Sequence, residues 1–192
     1  MEKYKVTFKD IFELTAKGDL DKLREMAPID EAILNMVVEH LPTPKEAQVY
    51  RLPNIWHGDL NSEEGKAMLN VDPNAPLAIV VFNITYDQHA GEVAVGRVFS
   101  GTARKGVEVV VSGLAGKQKI QQVALYMGPD RVPVDEIPAG NIAALIGLKD
   151  VSVGDTISET GIQPFEEIRH YSPPVVAKAI EAKETKDTVR HI

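Results

Sequence analysis

The sequence holds 192 residues, 44 % apolar and 26 % charged, with a net charge of −7 and no cysteine. That is enough chain for one ordinary globular domain with appendages. It excludes disulfides, thiol chemistry and cysteine-held zinc, and it confines any contact with nucleic acid to a local basic patch.

Residues 1–46 read as helical. Asp19–Met26 is a short charged helix. Pro28–Leu41 carries a stronger pattern: Ile29, Ile33, Val37 and Leu41 recur every fourth residue, with Leu34 and Val38 alongside. Pro28 suits the first turn, Asp30 and Glu31 suit its positive end, and His40 suits the last turn. Pro42 and Pro44 are expected to stop the helix. The stripe of Ile29, Ile33, Val37 and Leu41 is the candidate domain interface.

Residues 42–76 read as a proline-punctuated connector, anchored by Trp56, the only tryptophan. From Leu77 the period changes to short β-rich runs at Leu77–Thr85, Glu92–Phe99, Glu108–Ser112, Lys119–Met127, Val132–Ile137, Asn141–Leu148 and Thr156–Ile157. Turn signals at intervals of about 8 to 12 residues predict an antiparallel sandwich or closed barrel. The absence of long helical patterns between the runs argues against a parallel sheet. Val175–Lys183 has the makings of one more strand, without a partner after it.

The stretch AVGRVFSGTARKGVEVVV (94–111) poses a choice between a phosphate loop and a hairpin. A phosphate loop needs Gly, four residues, then Gly-Lys-Ser/Thr between strand and helix. Here Gly101 leads to Gly106, but Val107 follows. The hairpin reading places Gly101 and Gly106 where φ turns positive and Gly96 at a bulge or a close backbone approach. Val93, Val95, Arg97 and Phe99 share a parity, so Arg97 falls in phase with apolar neighbours. Either its stem packs at a barrel rim or a bulge shifts the phase.

This run, extended to HAGEVAVGRVFSGTARKGVEVVVSG, resembles the second-domain barrel of the translational GTPases. So do IWHGDLNSEEGKAMLNVDPNAPLA, VALYMGPDRVPVDEIPAGNIAALIGL and PFEEIRHYSPPVVAKAIEAK, which are closest in character to archaeal elongation-factor members of that family. The resemblance implies a mainly β fold, a closed antiparallel β-barrel of the translation-factor domain II type, preceded by a short α-helical segment. It implies residues 1–46 as the helical end of a GTPase domain, 47–172 as connector and barrel, and 173–192 as the first strand of domain III, cut short. It implies a parent that hydrolyses GTP with Mg2+ in the cytoplasm while driving ribosomal translocation. This chain is expected to hold no cofactor and no catalytic residue, since the phosphate loop and the guanine motif do not occur in it. The expected partners are the small ribosomal subunit, through its RNA backbone, and the GTPase domain and domain III of the same parent; no membrane is expected, because no apolar run nears the roughly 20 residues a span needs.

Charge patterning supplies the candidate site. Residues 97–119 carry Arg97, Arg104, Lys105, Lys117 and Lys119 against Glu108, whereas residues 130–167 are strongly acidic. Such hairpin-borne cations can neutralise phosphates without reading bases. The histidines, His40, His57, His89, His170 and His191, have no metal-ligand spacing. An independent small barrel that binds another ligand is the alternative reading.

Overall fold

A computed structural model describes residues 6–87 and 90–167, and the chain divides between Thr43 and Pro44 into two units. The expected tail strand at Val175–Lys183 lies outside the described residues, as do His89, His170 and His191.

The first unit contains α1 (Phe8–Lys17), α2 (Leu20–Met26) and α3 (Ile29–His40). Thr7 and Asp10 cap α1 reciprocally, each accepting from the other's amide, which satisfies two donors that the helix end leaves open. The bonds from the Thr7 side chain and amide hold the Asp10 carboxyl below the ordinary carboxylate range. Gly18 ends α1 at φ 73°. Helices α2 and α3 lie where the sequence pattern puts them, with Pro28 one residue before α3 as its cap. None of the three helices buries a residue.

The second unit opens on two helices, α4 (Pro44–Ile55) and α5 (Glu63–Asn70). The expected irregular connector over 42–76 is therefore largely helical. The prolines that read as punctuation occupy places a helix tolerates. Pro44 begins α4, where an N–H would be unused anyway, and Pro53 falls in its last turn. Ser62 caps α5 by accepting from the Gly65 amide at 3.0 Å.

Ten strands follow among the described residues: β1 (Ala78–Asp87), β2 (Gly91–Ser100), β3 (Thr102–Arg104), β4 (Glu108–Val111), β5 (Lys117–Lys119), β6 (Gln122–Met127), β7 (Asp130–Val134), β8 (Glu136–Pro138), β9 (Ile142–Ile146) and β10 (Thr156–Ser158). Eight form one antiparallel sheet in the order β5-β4-β10-β1-β2-β9-β6-β7, and β3 pairs with β8 as a separate ribbon. Two expected strands are divided: Lys119–Met127 breaks at Ile120 and Gln121, and Val132–Ile137 switches from the sheet to the ribbon at Asp135. Strand β3 was not anticipated.

The main core takes side chains from both sheets, among them Ile79, Val98, Ala103, Val109, Val123, Ile137, Leu145 and Ile157. The expectation of a closed barrel is corrected in one respect. No ladder joins β5 to β7 among the described residues, so the main sheet is not hydrogen-bonded into a ring. The reason lies at β5. Gln118 donates to the Lys149 carbonyl at 3.0 Å and accepts from the Lys149 amide at 2.7 Å. That side chain takes the place of a neighbouring strand at the edge.

The parity problem at Arg97 is settled by β2 itself. Ala94 and Val98 face the main core, while Val93 and Val95 join Ala124, Ala144 and Ile146 in a second cluster. Phe99 joins a third, with Leu52, Trp56, Met68, Ala78 and Phe165. Both faces of β2 are thus packed, and Arg97 lies on the outer one. The irregularity opposite Gly96 falls on β1, where Val81 pairs with Gly96 and Asn83 with Val95, leaving Phe82 as the extra residue. Gly96 allows a close approach: a Cβ there would sit 2.5 Å from Ile79 Cγ2 and 2.7 Å from the Val80 oxygen.

Gly101 and Gly113 provide a controlled pair for substitution. Both have positive φ, 75° and 79°, but a Cβ on Gly101 would meet the Leu77 Cα at 2.6 Å, whereas Gly113 has open space. Gly113→Ala should cost about 1–2 kcal/mol from the left-handed backbone alone. Gly101→Ala should cost a further ~1–3 kcal/mol because backbone must move. Urea denaturation of the two variants measures the difference.

Candidate nucleic-acid interface

Four of the five basic candidates meet at one place. Arg104 ends β3, and Lys105 and Gly106 make the turn into β4. Gly106 sits at φ 91° and donates to the Ile120 carbonyl at 2.7 Å, while the Ile120 amide returns a bond to Val107 at 3.0 Å. The turn is therefore tied to the end of β5. In the β4–β5 ladder Glu108 pairs with Lys119 and Val110 with Lys117. Two-residue periodicity puts Lys117 and Lys119 on one face, and Lys119 Cε lies 3.7 Å from where a Gly106 Cβ would be. Arg104, Lys105, Lys117 and Lys119 are all exposed.

Their charges are not equally available. Arg104 donates from Nε to Glu136 Oε2 at 2.7 Å across the β3–β8 ribbon, with both side chains more than half exposed. Exposed pairs of this kind contribute little stability, so the bond can be exchanged for another anion at low cost. Lys105, Lys117 and Lys119 form no ion pair among the described residues.

Arg97 is separate from this group. It is half-buried on the outer face of β2, its Nη2 donates to Gln48 Oε1 at 3.5 Å, and its guanidinium lies 6.0 Å from the Phe99 ring centre. Burial, and after it the charge of Arg51, lowers its pKa from the ordinary arginine value. Gln48 is buried in turn and donates to the carbonyls of Met68 and Phe99. This carboxamide links α4 to both α5 and β2, and no sequence motif marks it.

A polar groove of about 750 Å³ opens beside the basic turn, lined by Lys105, Gln121, Gln122, Arg131, Asp135 and Ile146 among others. Arg131 Nη2 pairs with Asp87 Oδ2 at 3.2 Å. Its Nη1 is buried without a hydrogen-bond partner among the described residues. Sequence reasoning missed this groove because it is assembled from the β3–β4 turn and the β6, β7 and β9 strands. Counted along the chain, Arg131 is merely a cation in an acidic segment.

The interface candidates Ile29, Ile33 and Val37 on α3 and Leu41 just past its end are all exposed, Ile29 at 72 %. Next to them, Ile11, Leu20, Leu23, Ala27, Pro28 and Ile29 line an apolar groove of about 440 Å³.

The glycines that raised the phosphate-loop question lie between strands: Gly101 joins β2 to β3 and Gly106 joins β3 to β4. Neither heads a helix, so their amides form no anion cradle of the phosphate-loop kind. His57 Nε2 lies 3.7 Å from Glu166 Oε2, both well exposed. Asp59 instead orders its own loop by accepting from the Asn61 amide at 2.8 Å. His40 occupies the last turn of α3. Among the described residues no His, Asp and Glu side chains group as a metal site would require, and no helix is long and apolar enough to cross a membrane.

Residues 76–160 match the family model for elongation factor G domain 2. The chain is 55 % identical to elongation factor 2 of Methanocaldococcus jannaschii, with 97 % of this chain aligned. It is 52 % identical to elongation factor 2 of Thermococcus kodakarensis over the same share, and 50 % identical to that of Pyrococcus abyssi over 100 % of its length. In each case it spans 26 % of the relative.

Gln48→Leu should leave the Phe99 carbonyl and the half-buried Arg97 guanidinium without the Gln48 side chain, while the Met68 carbonyl keeps the Val71 amide at 3.2 Å. A loss of about 1–3 kcal/mol per unpaired acceptor is expected in chemical denaturation, against near-neutrality for Gln118→Ser at the exposed edge.

Proposed function

This chain is a homologue of archaeal elongation factor 2 along its length, and from that premise we propose that it is the part of such a factor centred on domain II. In this reading residues 1–46 are the helical end of the GTPase domain, 47–172 the connector and a domain II barrel, and 173–192 the start of domain III. The main core supports the barrel assignment, since the eight-stranded sheet and the β3–β8 ribbon enclose it jointly.

The parent is a GTP-dependent ribosomal translocase working in the cytoplasm. In this reading the stretch takes no part in hydrolysis, and GTP and Mg2+ belong to the remainder of the factor; the placing of Gly101 and Gly106 between strands supports it. Its work is mechanical. The barrel packs on the GTPase domain and docks on the small ribosomal subunit, so that the nucleotide state governs where the distal domains stand. The unburied helices α1 to α3, with the exposed stripe of Ile29, Ile33, Val37 and Leu41, supply apolar surface against which the rest of the GTPase domain packs.

The observation that carries the docking role is the convergence of Arg104, Lys105, Lys117 and Lys119 on one exposed turn and hairpin. Four cations carried by a turn, a ribbon and the hairpin next to them suit the phosphates of structured RNA, which they would neutralise without reading sequence. Arg97, committed to Gln48 and Phe99, supports that reading least.

Sedimentation of the chain with small ribosomal subunits tests it. If the four cations meet phosphates, log K should fall against log salt with a slope of roughly −3. Lys117→Gln with Lys119→Gln should weaken binding and flatten that slope by about 1.5. Binding that ignores both salt and these substitutions would remove the docking role. Equilibrium dialysis against GTP should return no bound nucleotide at micromolar concentrations.

A further inference from the structure

We propose that the groove beside the basic turn is a binding site for a single unstacked nucleotide of RNA. The inference rests on the docking role above and adds to it a specific seat. Lys105 belongs to both surfaces: it stands in the turn beside Lys119 and also lines the groove. RNA backbone lying along the β4–β5 hairpin is therefore led to the groove mouth.

The lining matches the parts of a nucleotide. Lys105 is the cation for a phosphate, placed at the mouth away from the Arg131–Asp87 pair and the Asp135 carboxylate that share the wall. Gln121 and Gln122 each offer donors and an acceptor for the edge of a base. The exposed Pro133 and the half-buried Val134 give apolar contact for the ribose and ring. The volume of about 750 Å³ falls within the usual range for small-molecule sites, about 300–1,000 Å³. Among the described residues no aromatic side chain lines the groove, and the flat group there for stacking is the Arg131 guanidinium, which Asp87 holds at 3.2 Å. Its buried Nη1 lacks a hydrogen-bond partner among the described residues, so an entering acceptor that shifts the wall slightly gains a donor left unused by folding.

A peptide is the poorer occupant. Strand β7 borders the groove as the last in its sheet, which would invite an added strand. Pro133 lies in its middle, however, and cannot donate to one.

Two measurements test the site. In the first, the 15N-labelled chain is titrated with adenosine 5′-monophosphate, uridine 5′-monophosphate and, separately, inorganic phosphate. The mononucleotides should move the amides of Gln121, Gln122 and Ile146, saturating in the millimolar range, and phosphate alone should move them less. Equal shifts with phosphate alone, or none with the nucleotides, would overturn the proposal. In the second, Gln121→Ala with Gln122→Ala is sedimented with small subunits. Affinity should fall about tenfold with the salt slope unchanged, because the residues are neutral; wild-type affinity would overturn the seat while leaving the docking role standing. Wild-type chain that fails to sediment at all would remove the docking role, and the mononucleotide titration would then decide the groove alone.

Discussion

Strand β2 buries both of its faces, and the second unit is organised around that demand. Its inner side chains join the main core with Ile79, Leu145 and Ile157. Its outer ones divide between the cluster of Ala124, Ala144 and Ile146 and the one beneath α4 and α5. A strand enclosed on both sides tolerates few polar groups. Ser100 is one, its hydroxyl donating to the Pro76 carbonyl at 2.9 Å, and Arg97 is another, answered by Gln48. That carboxamide also satisfies the carbonyls of Met68 and Phe99, so one buried side chain reconciles helix, helix and strand.

Much of this was legible in the chain. The alternation from Leu77 onward marks the strands, and the glycines at 101 and 106 mark reversals. The parity of Arg97 with Val95 and Phe99 points in the sequence to a stem packed at a barrel rim or to a bulge; that α4 and α5 cover the outer face leaves no mark in parity. The helices α4 and α5 were hidden because proline is read as a breaker, while Pro44 and Pro53 occupy the two ends of α4. Closure was illegible for a different reason. Periodicity reports which residues face inward; it carries no information about whether Gln118 will meet Lys149 or another strand. The basic hairpin was visible as a run of charge, whereas the groove draws Lys105, Gln121 and Arg131 from separate strands and leaves no linear trace.

The weights of the contacts differ in a way that separates scaffold from working surface. Phe165 lies 4.7 Å from Phe99 and 6.4 Å from Trp56, ring centre to ring centre. An aromatic side chain buried this way removes about 150–250 Å² from water, roughly 4–6 kcal/mol before entropy is charged against it. The pairs of His57 with Glu166 and Arg104 with Glu136 stand in solvent, and such pairs contribute about 0–1 kcal/mol. Apolar contacts hold the frame, and the exposed charges remain free to change partners.

The closing of the sheet onto α4 has a mechanical consequence. The Glu166 amide donates to the Ile55 carbonyl at 2.8 Å, and Trp56 Nε1 donates to the Gln163 carbonyl at 2.7 Å. The chain thus departs from the strands beside the point where it arrived, and all ten strands hang from a pinned neck. Tension between what comes before Ile55 and what comes after Glu166 passes through the neck and bypasses the strands. The stranded body can therefore ride as a rigid passenger while load is carried around it, and a loop between strands can lengthen without altering the spacing of the neighbours on either side.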